Sequence, residues 1–164
     1  KILDWFRIYQ LINLNRSAVI SKDKKYRYRL SRIWSDSPTI TYIMLNPSKA
    51  DDQLDDKTIN RLIFFTKKFG YGGFYVGNLY PKITPYVNEL YNDLSHNTKE
   101  NKRHIRFMIN KSSKVVFAWG KTIESTPKWI QKIVEKPFCF GLNKNGTPKH
   151  PLYLKKNTSL VRFR

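Results

Sequence analysis

The sequence predicts a three-layer α/β/α fold: a central, mainly parallel sheet with helices on both faces and an N-terminal β-hairpin added at one edge. Three observations carry that expectation. Short apolar runs alternate along the chain with segments of helical period, which is the pattern of β-α units. A polar turn, Lys22-Asp23-Lys24-Lys25, divides two strand-like stretches near the start. The 164 residues carry no repeat and no low-complexity tract, so residues 1–164 read as one domain large enough to bury a core.

The elements follow in order. Ile2, Trp5, Phe6, Tyr9 and Ile12 fall on one helical stripe, predicting an amphipathic helix over Lys1 to Leu14. Ser17 to Ser21 and Tyr26 to Trp34 are the hairpin strands. In the second, Tyr26, Tyr28, Leu30 and Arg32 alternate with Arg27, Arg29, Ser31 and Ile33. Ile40 to Leu45 is an apolar strand that stops at Asn46-Pro47, because proline brings no N–H to a ladder and holds the preceding residue extended. Asp55-Asp56 stand before a helix carrying Ile59, Leu62, Ile63 and Phe69 and ending at Gly70, where they read as its cap. Further strands are expected at Phe74 to Leu79, Lys114 to Trp119 and Phe138 to Phe140. Helices are expected at about Thr98 to Lys111 and Pro127 to Val134.

Charge narrows the partners. Lys and Arg number 31 against 12 Asp and Glu, a net charge of +19, which draws a protein toward polyanions. Nucleic acid is the favoured partner; a general lysine excess over the surface is the alternative. No apolar run approaches the roughly 18 residues of a membrane span, so no membrane partner is expected. No stretch has signal-peptide form. The single cysteine, Cys139, excludes an internal disulfide framework and a cysteine-rich zinc site. A cytoplasmic, monomeric protein is the expectation.

Polar residues recur at the strand ends: Asn46-Pro47, then Asn78, Trp119-Gly120, and His150-Pro151 after the last strand and a basic loop. Each has a plain structural reading, as a turn asparagine, a core or lid aromatic, or a surface histidine. A parallel sheet changes this, because it brings all four ends to the one edge where open α/β folds build sites. Asp51, Asp52, Asp55 and Asp56 gather just beyond Asn46 and admit two readings, a magnesium site or helix capping. His96 and His104 read as solvent-exposed.

These segments carry a resemblance. Leu45-Asn46-Pro47-Ser48 is similar to the G-(I/M)-N-P-(G/S) motif of mismatch-type and single-strand-selective uracil-DNA glycosylases. Val76-Gly77-Asn78-Leu79 resembles the base-recognising strand end of that superfamily. Val116-Phe117-Ala118-Trp119-Gly120-Lys121 resembles its V-(F/L)-x-W-G-(K/R) segment, and His150-Pro151-Leu152 a shortened H-P-S-P-L loop. Over about Tyr28 to Leu154 the chain more closely resembles a bacterial domain-of-unknown-function family, number 1643. Its pattern runs I-M-L-N-P-S-x-A-D, G-Y-G-G, V-x-N-L, A-W-G and H-P-L-Y-L. The departures are an amide, Asn46, where the most active glycosylases have a catalytic aspartate, and the missing second proline of the histidine loop. The absence of four cysteines excludes the iron–sulfur branch.

The resemblance implies a uracil-DNA-glycosylase-like fold and a metal-independent, cofactor-free monofunctional hydrolase. It would flip uracil or a related modified pyrimidine out of DNA, single- or double-stranded, and excise it. Asn46 and His150 are then the catalytic pair, one orienting water and the other donating to the developing oxyanion. An amide is no general base near neutral pH, so a slow enzyme is implied. Asn78 would read the pyrimidine edge with donor and acceptor. Tyr80 is a candidate for the aromatic stacked on the base, beside Phe64, Phe65 and Tyr71. Pro47, Trp119 and Gly120 would shape turn and pocket, and Leu152 or Tyr153 would fill the gap left in the stack. Arg27, Arg29, Arg32, Lys144 and Lys149 would lie nearest the phosphates. A uracil-DNA glycosylase inhibitor protein is a further partner the resemblance suggests; repair, defence and mobile-element support all fit. The alternatives are a weak or inactive glycosylase-fold DNA-binding protein and a metal-dependent nuclease.

Overall fold

The structure, a computed structural model, describes residues 14–93 and 98–164; the expected N-terminal helix and His96 lie outside them. Seven strands form one sheet: β1 (Asn15–Ile20), β2 (Arg27–Ile33), β3 (Thr39–Met44), β4 (Gly73–Asn78), β5 (Lys114–Phe117), β6 (Phe138–Cys139) and β7 (Val161–Arg162). Helices α1 (Lys57–Lys68), α2 (Thr98–Lys111) and α3 (Lys128–Ile133) cover it, and a 3-10 turn spans Val87–Leu90. The strand order is β1-β2-β4-β3-β5-β6-β7.

The sheet is mixed, which corrects the mainly parallel expectation. β3–β4, β3–β5 and β5–β6 pair parallel, while β1–β2, β2–β4 and β6–β7 pair antiparallel. The hairpin takes one edge as expected and contributes two of the antiparallel contacts. β7, with two residues and no apolar run, closes the other edge without a sequence signal.

The parallel core still sets the layers. β3 is buried on both faces, so it reads as a continuous apolar run. Its Ile40, Tyr42 and Met44 pack with Ile59, Leu62 and Phe65 of α1, while Ile43 packs with Ile105 and Met108 of α2 and Ile130 of α3. Thus α1 lies on one face and α2 and α3 on the other. Asp56 caps α1, its Oδ1 accepting from the Ile59 N–H at 2.9 Å. Gly77 lets α2 close on β4, since a Cβ there would meet Met108 Cε at 2.6 Å.

One irregularity bears on the site. Val19 pairs with Arg29 but Ile20 with Arg27, leaving Tyr28 as the extra residue of a β-bulge. The bulge shifts the side-chain phase by one. Arg29 lies over Phe107 of α2, but Arg27 turns to the α1 face, where its Nη1 donates to the Ala50 carbonyl at 2.7 Å. Simple alternation had placed those two arginines on one face.

Candidate functional site

The carboxyl ends of the parallel strands enclose a cavity of about 250 Å³, with Asn46, Asn78, Trp119 and His150 in its lining beside Arg27 and Asp56. The four strand-end residues singled out in the sequence therefore do meet.

Asn46 follows β3 and is held by its amide nitrogen. Nδ2 donates to the carbonyls of Thr84 (2.7 Å), Pro47 (3.1 Å) and Lys82 (3.4 Å). Three carbonyls around one atom fix the orientation of the amide. Oδ1 is left as the acceptor of a residue that lines the cavity. The Pro47 carbonyl also takes the Thr84 N–H at 3.2 Å, so strand end and loop 81–84 are laced together.

Asn78 ends β4 and is 1% exposed. Neither Oδ1 nor Nδ2 has a hydrogen-bond partner among the described residues, and both are closed off from solvent. Its backbone carbonyl is engaged separately, by Asn101 Nδ2 at 2.8 Å. Trp119 Nε1 is likewise buried without a partner. A buried amide with both ends unpaired is costly, and such groups are rare unless a ligand completes them.

His150 is oriented by the chain that follows it. Its Nδ1 accepts the Leu152 N–H at 3.1 Å, so in the neutral ring the proton sits on Nε2. Burial lowers its pKa below the ordinary imidazole value, with the Asp56 charge opposing. The ring is thus a neutral Nε2–H donor. Gly120, at φ +82, makes the left-handed turn after Trp119, and its N–H reaches the Pro148 carbonyl at 3.0 Å, drawing the histidine loop over the cavity.

Arg27 is 4% exposed and its Nε has no partner. Burial lowers its pKa to about 10, with Asp56 pulling the other way, so the cation persists at neutral pH. Enclosed in the cavity, it cannot reach flanking phosphates, and that expectation is corrected. Sequence reasoning missed its place because a bulge has no local signature. Asp56 was read as a helix cap or as part of a magnesium site, not as a wall of this cavity. The available signal was that α1 begins at the same sheet edge where the strand ends gather.

Other candidates fall elsewhere. Arg32, fully buried, ion-pairs with Asp55 at 2.8 Å and donates to the Ser31, Asp51 and Leu54 carbonyls; it is a structural hub and not a phosphate contact. Arg29 stands on the opposite face of the sheet. Tyr80 lines a separate cavity with Leu79, Pro127 and Trp129, so it does not stack in this one. Lys144 and Lys149 belong to the loop folded between Gly141 and His150, and neither lines the cavity. Leu152 is half-buried, whereas Tyr153 is 91% exposed at φ +70, an unusual backbone for an aromatic residue. Arg61 of α1 fixes this loop through the Leu154 carbonyl.

The acids are dispersed among structural tasks. Asp55 binds Arg16 and Arg32, Asp51 accepts the Gln53 and Leu54 N–H groups, and Asp56 caps α1. Among the described residues no group of His, Cys, Asp and Glu gathers as a metal site. His104 is 6% exposed, stacked on Tyr28 and bonded to Glu100, which corrects its solvent-exposed reading. No helix among the described residues is long and apolar enough to cross a membrane.

Fold and site together define an α/β protein with a small polar pocket at the ends of its parallel strands. The chain belongs to the family described as "Protein of unknown function (DUF1643)", whose model matches residues 27–152. No curated protein and no solved structure matches it.

Proposed function

We propose that this chain is a DNA glycosylase that takes a flipped uracil, or a related pyrimidine, into the strand-end cavity and hydrolyses its N-glycosidic bond. The observation that carries the reading is Asn78, whose carboxamide offers one donor and one acceptor, both buried and both unpaired. The imide edge of uracil presents the matching acceptor and donor. A cavity of about 250 Å³ is smaller than the roughly 300–1,000 Å³ of drug-sized sites and suits a single base. His150 Nε2–H would hold the carbonyl oxygen on which negative charge grows. Exposed Tyr153 beside the histidine would occupy the space the base vacates. The net charge of +19 would hold the phosphates.

A uracil-containing oligonucleotide incubated with the protein in chelator is expected to become alkali-cleavable at the uracil. Retained binding without cleavage, across uracil, hydroxymethyluracil, mismatched and single-stranded substrates, would favour the noncatalytic DNA-binding reading. Binding should also weaken steeply as salt rises, since phosphate contacts release counterions. A flat response would remove DNA as partner.

A further inference from the structure

The carboxylate of Asp56 stands where the chemistry has a gap. Hydrolysis of an N-glycosidic bond needs a group to take a proton from water and to face the positive charge that builds on the sugar. Asn46 supplies neither; its nitrogen is spent on three carbonyls, and an amide oxygen does not accept a proton near neutral pH. Asp56 lines the same cavity as Asn46, Asn78 and His150. Its Oδ1 is fixed by the Ile59 N–H at 2.9 Å, and Oδ2 accepts nothing from the described residues. The cap therefore does two things: it starts α1 and it holds a carboxylate rigidly in the pocket lining. Arg27 from β2 and His150 from the loop after β6 are the charged and titratable groups facing it. Arg32 and Asp51 act on Arg27 in turn.

We infer that Asp56 is the general base and the electrostatic partner of the sugar, with Asn46 Oδ1 orienting the same water. The inference rests on the excision reading above. Water oxygen bonds to C1′ as the C1′–N1 bond breaks, and the electron pair of that bond leaves with the base. His150 Nε2–H stabilises the resulting anion at its carbonyl oxygen. The proton lost by water passes to Asp56 Oδ2 and then through solvent to the base.

Asn caps a helix as well as Asp, so Asp56→Asn removes the charge and keeps the cap. In single-turnover assays on a uracil oligonucleotide, Asp56→Asn is expected to lose about 10²- to 10⁴-fold in rate, the usual contribution of a general base. DNA affinity should stay at the wild-type value, and the melting temperature should fall only as far as the loss of the charge facing buried Arg27 requires. Asp56→Ser, which caps through a hydroxyl, should show the same loss and guards against a fold effect peculiar to asparagine. Excision by Asp56→Asn at the wild-type rate overturns the assignment while leaving the glycosylase reading intact. A wild-type chain inert on every base removes both.

Discussion

Asn78 can be tested by a substitution that should strengthen the protein while silencing it. Its carboxamide is 1% exposed with neither polar atom paired. An amide buried in this way costs about 1–3 kcal/mol on the scale of protein mutations. Leucine has the same branched four-atom skeleton and no polar atom to desolvate, and the Asn101 bond to the Asn78 backbone carbonyl survives the exchange. Asn78→Leu is therefore expected to raise stability by roughly 2 kcal/mol, which in a domain of this size lifts Tm by about 4–8 °C. Urea denaturation should show a higher midpoint with an unchanged m value, the sign that the native state and not the denatured one has changed. Excision should be lost in the same variant. Stability held below function is what a binding group unpaired in the free protein produces. A destabilised Asn78→Leu, or one that still excises, would refute the reasoning, for the amide would then be serving the fold or nothing at all.

Three further outcomes follow from the same geometry. Arg32→Met should destabilise by about 3–5 kcal/mol in denaturant titrations, because it leaves Asp55 without its buried partner and takes a donor from the Ser31, Asp51 and Leu54 carbonyls; a neutral result would return Arg32 to the DNA-facing set. Burial lowers the pKa of both His150 and His104, with Arg29 and Arg103 adding to the effect at His104. The unfolded chain thus takes up protons first, and stability, full above the ordinary histidine value, should fall as pH drops below it. His104→Gln should flatten that decline and leave excision unaltered, measured by denaturation at several pH values. Asn46→Asp should slow the reaction and cost about 1–3 kcal/mol, since it strips donors from the Thr84, Pro47 and Lys82 carbonyls; a faster enzyme would contradict the anchoring role.

What was legible in the sequence was local. The apolar run of β3 and its stop at Asn46-Pro47 need only propensity and the chemistry of proline, and α2 shows itself by period alone. The meeting of Asn46, Asn78, Trp119 and His150 followed because parallel strands must end at a common edge, and those four strands do run parallel. Long-range pairing left no such mark. Nothing near β2 says that it will lie antiparallel to β4, and two residues of β7 carry no period. The same limit hid Arg27 and Arg32. Alternation in β2 is broken by the bulge at Tyr28, so a rule of period two sent Arg27 to the wrong face. Arg32 looked like a surface cation because its carboxylate partner lies 23 residues away in sequence.

The amide at position 46 now has a physical explanation that the sequence lacked. Loop 81–84 turns the Lys82 and Thr84 carbonyls toward that site, the Pro47 carbonyl stands beside them, and a donor at position 46 satisfies them. A carboxylate there would face carbonyl oxygens at close range and would have to be neutral to remain. The position therefore disfavours an aspartate, whatever the chemistry demands. A carboxylate has to enter from another element, and α1 brings one by starting at the same sheet edge with Asp56 as its cap. The bulge in β2 completes the arrangement by turning the Arg27 cation onto the face where Asp56 stands. Two features of structural origin, a helix cap and a strand irregularity, thus place opposite charges in the pocket where the strand motif has only amides and a neutral imidazole. On the proposed excision reading, the proton acceptor comes from the helix that follows the motif, and the motif supplies the amides that hold base and water.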